Sequence, residues 1–403
     1  MEESRELDEF KSLEELIIPP RTLMGPGPVD VDPRVLAAMA LPLLSHLDPD
    51  FTRIMDEVMD MLRRVFMTKN RFTAAISATG HGGMEAALLN VVEPGETIIV
   101  GVCGLFGERL AEIAERVGAR VVRVEGEWGK PVDPYDIKKA IDDNPGAKLV
   151  AVIHGETSTG VLQPLDDIIK VAHDRGVLVL VDTVVTLGGC EVNVDGWGID
   201  ICYSGSQKCI SAPPGLAPLT ISDRVADVIK GRRNKVRSWY FDLGKIFDYW
   251  GQERFYHHTA PISLVYALRE ALRLLLTEGL EHSWKRHARH GRALLLGLDA
   301  MDLHSPVDPA YRIPQLVVIR VPEHIDEARV RRALVERCGI EIAGGLGKLK
   351  GQVWRIGLLG YSAQKKNVLT LLMALEQILR EEGHRFEPGA GIEAALRVYA
   401  EKH

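Results

Sequence analysis

The chain has 403 residues, 46% hydrophobic and 26% charged, which suits a globular protein of two or three domains and excludes a disordered or disulfide-stapled one. Its 49 basic and 56 acidic residues sum to −7, a sign that argues against a nucleic-acid partner, since neutralising a phosphate backbone needs a concentrated basic surplus. Five scattered cysteines without a C-x-x-C pair, an acidic N-terminus, and no run near the roughly 18 apolar residues of a membrane helix predict a cytoplasmic protein with no membrane partner.

Residues 1–24 are charged and end in Ile17-Ile18-Pro19-Pro20, the pattern of an arm that lies on something else, a partner subunit being one candidate. From Phe51 to Phe66 apolar residues recur at helical spacing (Ile54, Val58, Met61, Leu62, Val65) before the strand-like Phe72–Ile76. Further strands are predicted at Thr97–Val100, Arg120–Val124, Lys148–Ile153, Val177–Val181, Ile201–Tyr203 and Leu216–Ile221, mostly separated by helical patterns. Near-continuous apolar strands imply burial on both faces, hence a mainly parallel sheet covered by helices, an α/β domain over residues 25–280. After a helical stretch through Leu264–Leu276 and Gly279, residues 281–403 read as a smaller α+β domain. It has a helix near 282–302, a strand at Gln315–Val321, a helix near Asp326–Glu336, short strands at Ile340–Ile342 and Val353–Ile356, and a helix around Asn367–Glu381. The tail from Phe386 adds a short helix.

In open parallel sheets ligands bind at the carboxyl ends of strands. After Ile76 comes Ser77-Ala-Thr-Gly-His-Gly-Gly83, running into a helix, where glycine-rich backbone N–H groups and the helix N-terminus suit a phosphate. The spacing is neither a Walker loop nor a good dinucleotide fingerprint, and alone the run reads equally well as a plain glycine turn. Asp182 ends the most apolar strand, and Lys208 follows the next one. Separately, such an Asp is commonly a helix cap and such a Lys solvated. Together with the glycine turn they match the needs of pyridoxal 5′-phosphate: an amine for its aldehyde, a carboxylate for its ring nitrogen and a cradle for its phosphate. A non-catalytic scaffold would have no reason to keep that set.

The runs Thr79-Gly-His81, His154-Gly-Glu-Thr-Ser-Thr-Gly160, Val181-Asp-Thr183, Tyr203-Ser-Gly-Ser-Gln-Lys208, Ala212-Pro-Pro-Gly215, Tyr256-His-His-Thr259 and Trp354-Arg-Ile-Gly-Leu-Leu-Gly360 resemble class V aminotransferases of pyridoxal-phosphate fold-type I. Within that family the chain is most similar to the alanine:glyoxylate and serine:pyruvate enzymes, from about Arg21 to about Leu379. The resemblance implies that Lys208 carries the cofactor as a Schiff base and later moves a proton, while Asp182 keeps the ring nitrogen cationic. It further implies that Thr79, Gly80, His81 and Gln207 hold the phosphate, joined by Tyr256 and Thr259 of a second subunit in a homodimer with shared sites. Phe106 would stack on the ring, Thr157 would bond its hydroxyl, Arg355 would clamp the substrate carboxylate, and the backbone at Gly25-Pro26 would border a small substrate. The implied reaction moves the amino group of alanine or serine to glyoxylate.

Relatives often carry Trp where this chain has Phe106. Val29–Pro33, Asp48–Phe51 and Glu127–Gly129 are equally similar to ureidoglycine:glyoxylate aminotransferases of purine catabolism, the alternative reading. Those enzymes tend to have Asn where Tyr256 stands and Gln near His46, so Tyr256 favours an ordinary small amino acid. The tail also resembles that of pyridoxamine:pyruvate aminotransferase. Cys338 is expected to be a buried small hydrophobe at the start of a strand, Cys209 to be unreactive, and His257-His258 to have a role other than metal binding, with no metal site expected. The basic run Arg232–Arg237 is expected to be a solvated segment between helices.

Overall fold

Leu149–Ile153 and Leu178–Asp182 are buried along their whole length, and burial on both faces places them at the centre of a sheet rather than at an edge. In the computed structural model, which describes residues 15–401, that sheet has seven strands. Their spatial order is Phe72–Ile76, Ala217–Ile221, Ile201–Tyr203, Leu178–Asp182, Leu149–Ile153, Thr97–Val102 and Arg120–Glu125. Only Ala217–Ile221 runs against its neighbours. The carboxyl ends of the other six therefore open on one edge, which is where side chains from distant parts of the sequence can converge.

Helices cover both faces of the sheet. The helix Pro49–Phe66 begins at Asp48, whose carboxylate accepts from Asp50 N–H, and ends where Met67 turns left-handed at φ 52°. Its buried Phe51, Met55, Val58, Leu62 and Phe66 repeat at three- and four-residue steps, so one stripe enters the core. The helix Leu243–Trp250, absent from the sequence reading, is eight residues long, too short for its periodicity to stand out, yet it buries Tyr249 and Trp250.

A second core surrounds the antiparallel sheet of Leu316–Arg320, Val353–Gly357 and Ala343–Gly344, and includes Trp354, Leu371, Leu375 and Leu294. The strand expected at Ile340–Ile342 divides. Ile340–Glu341 pairs in parallel with Thr22–Leu23, and Ala343–Gly344 pairs with Trp354–Arg355. Residues 22–24 thus run beside the smaller layer and bury Met24 in it, while Leu16, Ile17 and Ile18 are exposed; the rest of the arm lies outside the described residues. A small third cluster, including Val29, Val185, Cys209, Leu316 and Leu359, joins the two layers. The tail helix Ala390–Ala400 lies on the helix Leu280–Asp299, where His290 Nδ1 and Tyr399 Oη are 2.7 Å apart.

One sequence expectation is corrected. Cys338 is the last residue of the helix Glu327–Cys338 and is exposed, because the strand begins two residues later, past Gly339. The run Arg232–Arg237 lies between helices and is mostly exposed, as expected, and it also makes tertiary bonds. Arg232 donates to the carbonyls of Asn90 and Val92, closing the C-terminus of the helix Gly80–Val91, and Glu93 accepts from the N–H groups of Arg233 and Asn234. Helix-end carbonyls attract a guanidinium, a tertiary partnership that charge patterning does not reveal.

Candidate active site

Five strand ends, after Ile76, Val102, Ile153, Asp182 and Tyr203, supply the wall of a cavity of about 180 Å³ lined by Gly80, His81, Phe106, Arg109, Thr157, Asp182, Val184, Gln207 and Lys208 among others. Among the described residues two larger clefts, one beside Arg286 and one beside Arg116, have no lysine in their lining. Of the sequence-predicted residues, Gly80, His81, Phe106, Thr157, Asp182, Gln207 and Lys208 line this cavity. Thr79 stands exposed at its rim as the N-cap of the helix Gly80–Val91.

The strand Phe72–Ile76 breaks in a three-residue turn, Ala78 N–H donating to Ile76 C=O at 2.8 Å, and the helix starts at Gly80. Thr79 caps no N–H with its side chain, so the first-turn amides of Gly80, His81 and Gly82 are open to an external acceptor. A Cβ on Gly80 would sit 3.0 Å from the Val184 side chain, so the helix start packs closely on the turn after Asp182.

Lys208 follows Tyr203 on a tight turn, and its Nζ donates to the Pro26 carbonyl at 2.5 Å. Burial pushes its ammonium down to about 8, with the neighbouring Arg355 cation adding to the effect. Gly27, at φ +107°, presses so near that a Cβ would meet Lys208 Nζ at 2.6 Å. The segment 25–27 therefore closes over the lysine, with Pro26 O as the contacting group. Burial also raises the Asp182 carboxyl to about 6, although Val184 N–H donates to it at 2.8 Å.

Arg355 lies outside the cavity lining, nearly buried, with Nε on the Gly344 carbonyl at 2.7 Å and Nη1 on the Thr157 carbonyl at 3.2 Å. Burial lowers its guanidinium to about 10. Tyr256 and Thr259 are exposed, their hydroxyls 3.4 Å apart, and neither lines this chain's own cavity.

Two residues here escaped the sequence reading. Glu156 is fully buried, and its carboxylate accepts from the N–H groups of Phe106 and Gly107, from Ser158 N–H and from Ser158 Oγ. It thereby caps the helix Leu105–Arg116 and holds the loop that carries Thr157. An acidic residue just past a buried strand was the available signal, the same one that marked Asp182. Arg109 sits one turn beyond Phe106, with its guanidinium 5.3 Å from the Phe106 ring centre and Nη1 3.1 Å from His81 Nε2. Burial, Arg109 and Lys208 together lower His81, so its ring is neutral and accepts from Arg109 through Nε2.

The residues present fit pyridoxal 5′-phosphate. Three uncapped first-turn amides can donate to an anion, a buried carboxylate held above its usual range faces the same cavity, and Lys208 offers its amine there.

A family model described as aminotransferase class-V matches residues 37–365. The chain is 45% identical, over 96% of its length and 97% of the relative's, to an (S)-ureidoglycine–glyoxylate transaminase of Bacillus subtilis. It is 43% identical, over 91% and 90%, to an alanine–glyoxylate aminotransferase of Callithrix jacchus. The crystal structure of the ureidoglycine-glyoxylate aminotransferase from Bacillus subtilis superposes with a TM-score of 0.94 at 46% identity, covering 96% of this chain and 100% of that one. An alanine–glyoxylate aminotransferase from Nostoc sp. superposes at 0.90 with 43% identity, covering 93% and 99%.

Proposed function

Because the chain belongs to the class V aminotransferase family and is a pyridoxal-phosphate-dependent, fold-type I transaminase, we propose that it transfers the amino group of a small L-amino acid, alanine or serine, to glyoxylate. The observation that carries this reading is the convergence of Lys208, Asp182 and the uncapped helix N-terminus on one cavity beneath Gly25–Gly27. Bound there, the cofactor supplies an electron sink for negative charge at the substrate's α carbon.

The chain's own residues do the rest. Lys208 Nζ, held below its ordinary range, is neutral in about a tenth of molecules at pH 7, enough to act as nucleophile and then to take the α proton. Asp182 would set a buried carboxylate toward the ring nitrogen and favour its protonated form. Gly80, His81 and Gln207 would hold the phosphate with Thr79, Thr157 would meet the ring hydroxyl, and Phe106 would supply its face for stacking. Arg355 would clamp a substrate carboxylate beside Thr157, and the backbone at Gly25-Pro26 would border a small substrate.

Tyr256 and Thr259 complete the phosphate cradle of a second copy in a homodimer. This is supported by their exposure, by their absence from the lining of this chain's own cavity, and by the exposed Leu36, Leu41, Leu43, Trp239 and Phe255. The five free cysteines favour a reducing, cytoplasmic setting, and among the described residues no helix is long and apolar enough to cross a membrane.

A second reading, (S)-ureidoglycine as donor, is favoured by the similarity to the Bacillus subtilis transaminase. Against it stands Tyr256, its ring 4.8 Å from His46, where amide side chains would suit a ureido group. Measuring kcat/KM for alanine, serine and ureidoglycine with glyoxylate as acceptor separates the two. A ureidoglycine value ten or more times the alanine value, about 1.4 kcal/mol in transition-state binding, overturns the first reading.

A further inference from the structure

His257 and His258 belong to none of the roles above, yet their hydrogen bonds form one continuous chain. His257 Nε2 is 3.1 Å from the Trp239 carbonyl, His257 Nδ1 is 2.7 Å from His258 Nδ1, and His258 Nε2 is 2.6 Å from Ser77 Oγ. The carbonyl can only accept, so the proton of a neutral His257 sits on Nε2 and its Nδ1 is bare. His258 must then donate from Nδ1, which leaves its Nε2 bare, and Ser77 must donate from Oγ. One backbone carbonyl thus fixes two tautomers and one hydroxyl. Both rings are held in place: His257 is buried and stacks on Trp239 at 4.3 Å and 14°, and His258 meets the Tyr249 ring edge-on at 5.7 Å. Burial, with His257 and His46 nearby, lowers His258 to about 4.

The chain ends at the residue where the strand Phe72–Ile76 breaks toward the helix N-terminus. Ser77 is held there twice, since the Tyr240 hydroxyl also donates to its carbonyl at 3.2 Å. Three residues on, the open amides begin.

We propose that His257 and His258 are positioning residues that act through Ser77 to fix the turn 76–79 and hence the aim of the amides of Gly80 and His81 at the cofactor phosphate. The proposal rests on the reading of residues 79–81 as the phosphate cradle. It gives His258 two separable duties, a donor at Nδ1 and an acceptor at Nε2. An Asn side chain reproduces the first and a Gln side chain the second.

The test follows release of cofactor from the purified holoenzyme by its visible absorption, in the presence of a scavenger, for wild type, Ser77→Ala, His258→Asn and His258→Gln. Melting temperatures are recorded alongside. Ser77→Ala and His258→Asn are expected to release cofactor about tenfold faster, and His258→Gln to stay within about threefold of wild type, since it keeps the bond to Ser77. The two His258 variants each lose one bond, so a merely structural role would lower melting temperature and retention together and equally. Equal release rates for His258→Asn and His258→Gln, or rates within twofold of wild type for Ser77→Ala, would overturn the proposal. So would equal weakening for pyridoxal, which lacks the phosphate. A wild-type protein that never takes up the cofactor would instead overturn the cradle reading, and the proposal with it.

Discussion

Lys208 and Asp182 are displaced toward neutrality by the same cause, loss of water, and each displacement carries a measurable consequence. For a base whose folded pKa lies near 8, below its ordinary 10.5, the unfolded chain binds more protons between those values, so the cofactor-free protein gains stability as pH rises from about 8 to 10.5. In the same protein the rate of Schiff-base formation with added cofactor should climb about tenfold per pH unit up to about 8 and then level, as the neutral amine accumulates. A plateau only near pH 10 would show that Lys208 is not desolvated. Asp182 carries the opposite sign. Its folded pKa of about 6 exceeds the ordinary 3.8, so its contribution is present at low pH and is lost as pH rises through about 6. Asp182→Asn should therefore raise the melting temperature of the cofactor-free protein at pH 8, a gain of up to about 3 kcal/mol, while lowering transamination by orders of magnitude. Parallel losses of stability and activity would contradict this account. Asp182 and Lys208 were legible because each follows a predicted strand, whereas Glu156, equally well placed, offered no cofactor atom to assign it to.

At the level of elements, helix ends and close crossings carry the specific energies. Glu156 satisfies four donors, two at the start of the helix Leu105–Arg116 and two on Ser158, just past Thr157. Glu156→Ala should cost about 3 kcal/mol in urea unfolding and weaken cofactor binding as well, because it strands buried donors beside the ring pocket. The tail helix crosses Leu280–Asp299 at a pair of glycines: a Cβ on Gly297 would lie 2.9 Å from the Gly391 carbonyl, and one on Gly391 would lie 3.0 Å from the Gly297 carbonyl. Gly297→Ala should destabilise by about 1 to 3 kcal/mol with kcat unchanged, since the crossing is remote from the cavity. A neutral or stabilising result would mean that the helices separate at little cost. The helices here were largely predictable from their apolar stripes. The division of the strand at residue 342 was not, because it depends on two different partners, Thr22–Leu23 and Trp354–Arg355, far away in the chain.

For the whole molecule, the question is which surface completes the site. Lys208 lies in the cavity while Tyr256 and Thr259 face outward. If each pair serves the other subunit, mixing Lys208→Ala with the double variant Tyr256→Ala/Thr259→Ala should restore activity to two nearly inactive proteins. Random exchange makes half the dimers mixed, each with one intact site, so recovery should approach about a quarter of wild type. No recovery after verified subunit exchange would place both residues in a purely structural role.

The sequence by itself determined the class of fold and the chemistry, because apolar runs of strand length force a covered parallel sheet and because Asp182, Lys208 and the glycine turn each follow a strand end. It was also enough to resemble the right family, since that resemblance lies in short runs of neighbouring residues. Only the tertiary structure decided that Pro26 caps the lysine, that Glu156 and Arg232 close helix ends, that Cys338 is exposed, and that His257 and His258 point a hydrogen-bond chain at Ser77. Each of these joins groups remote in sequence through a single directional bond or through burial, and a hydrogen bond leaves no periodicity behind in the chain that makes it.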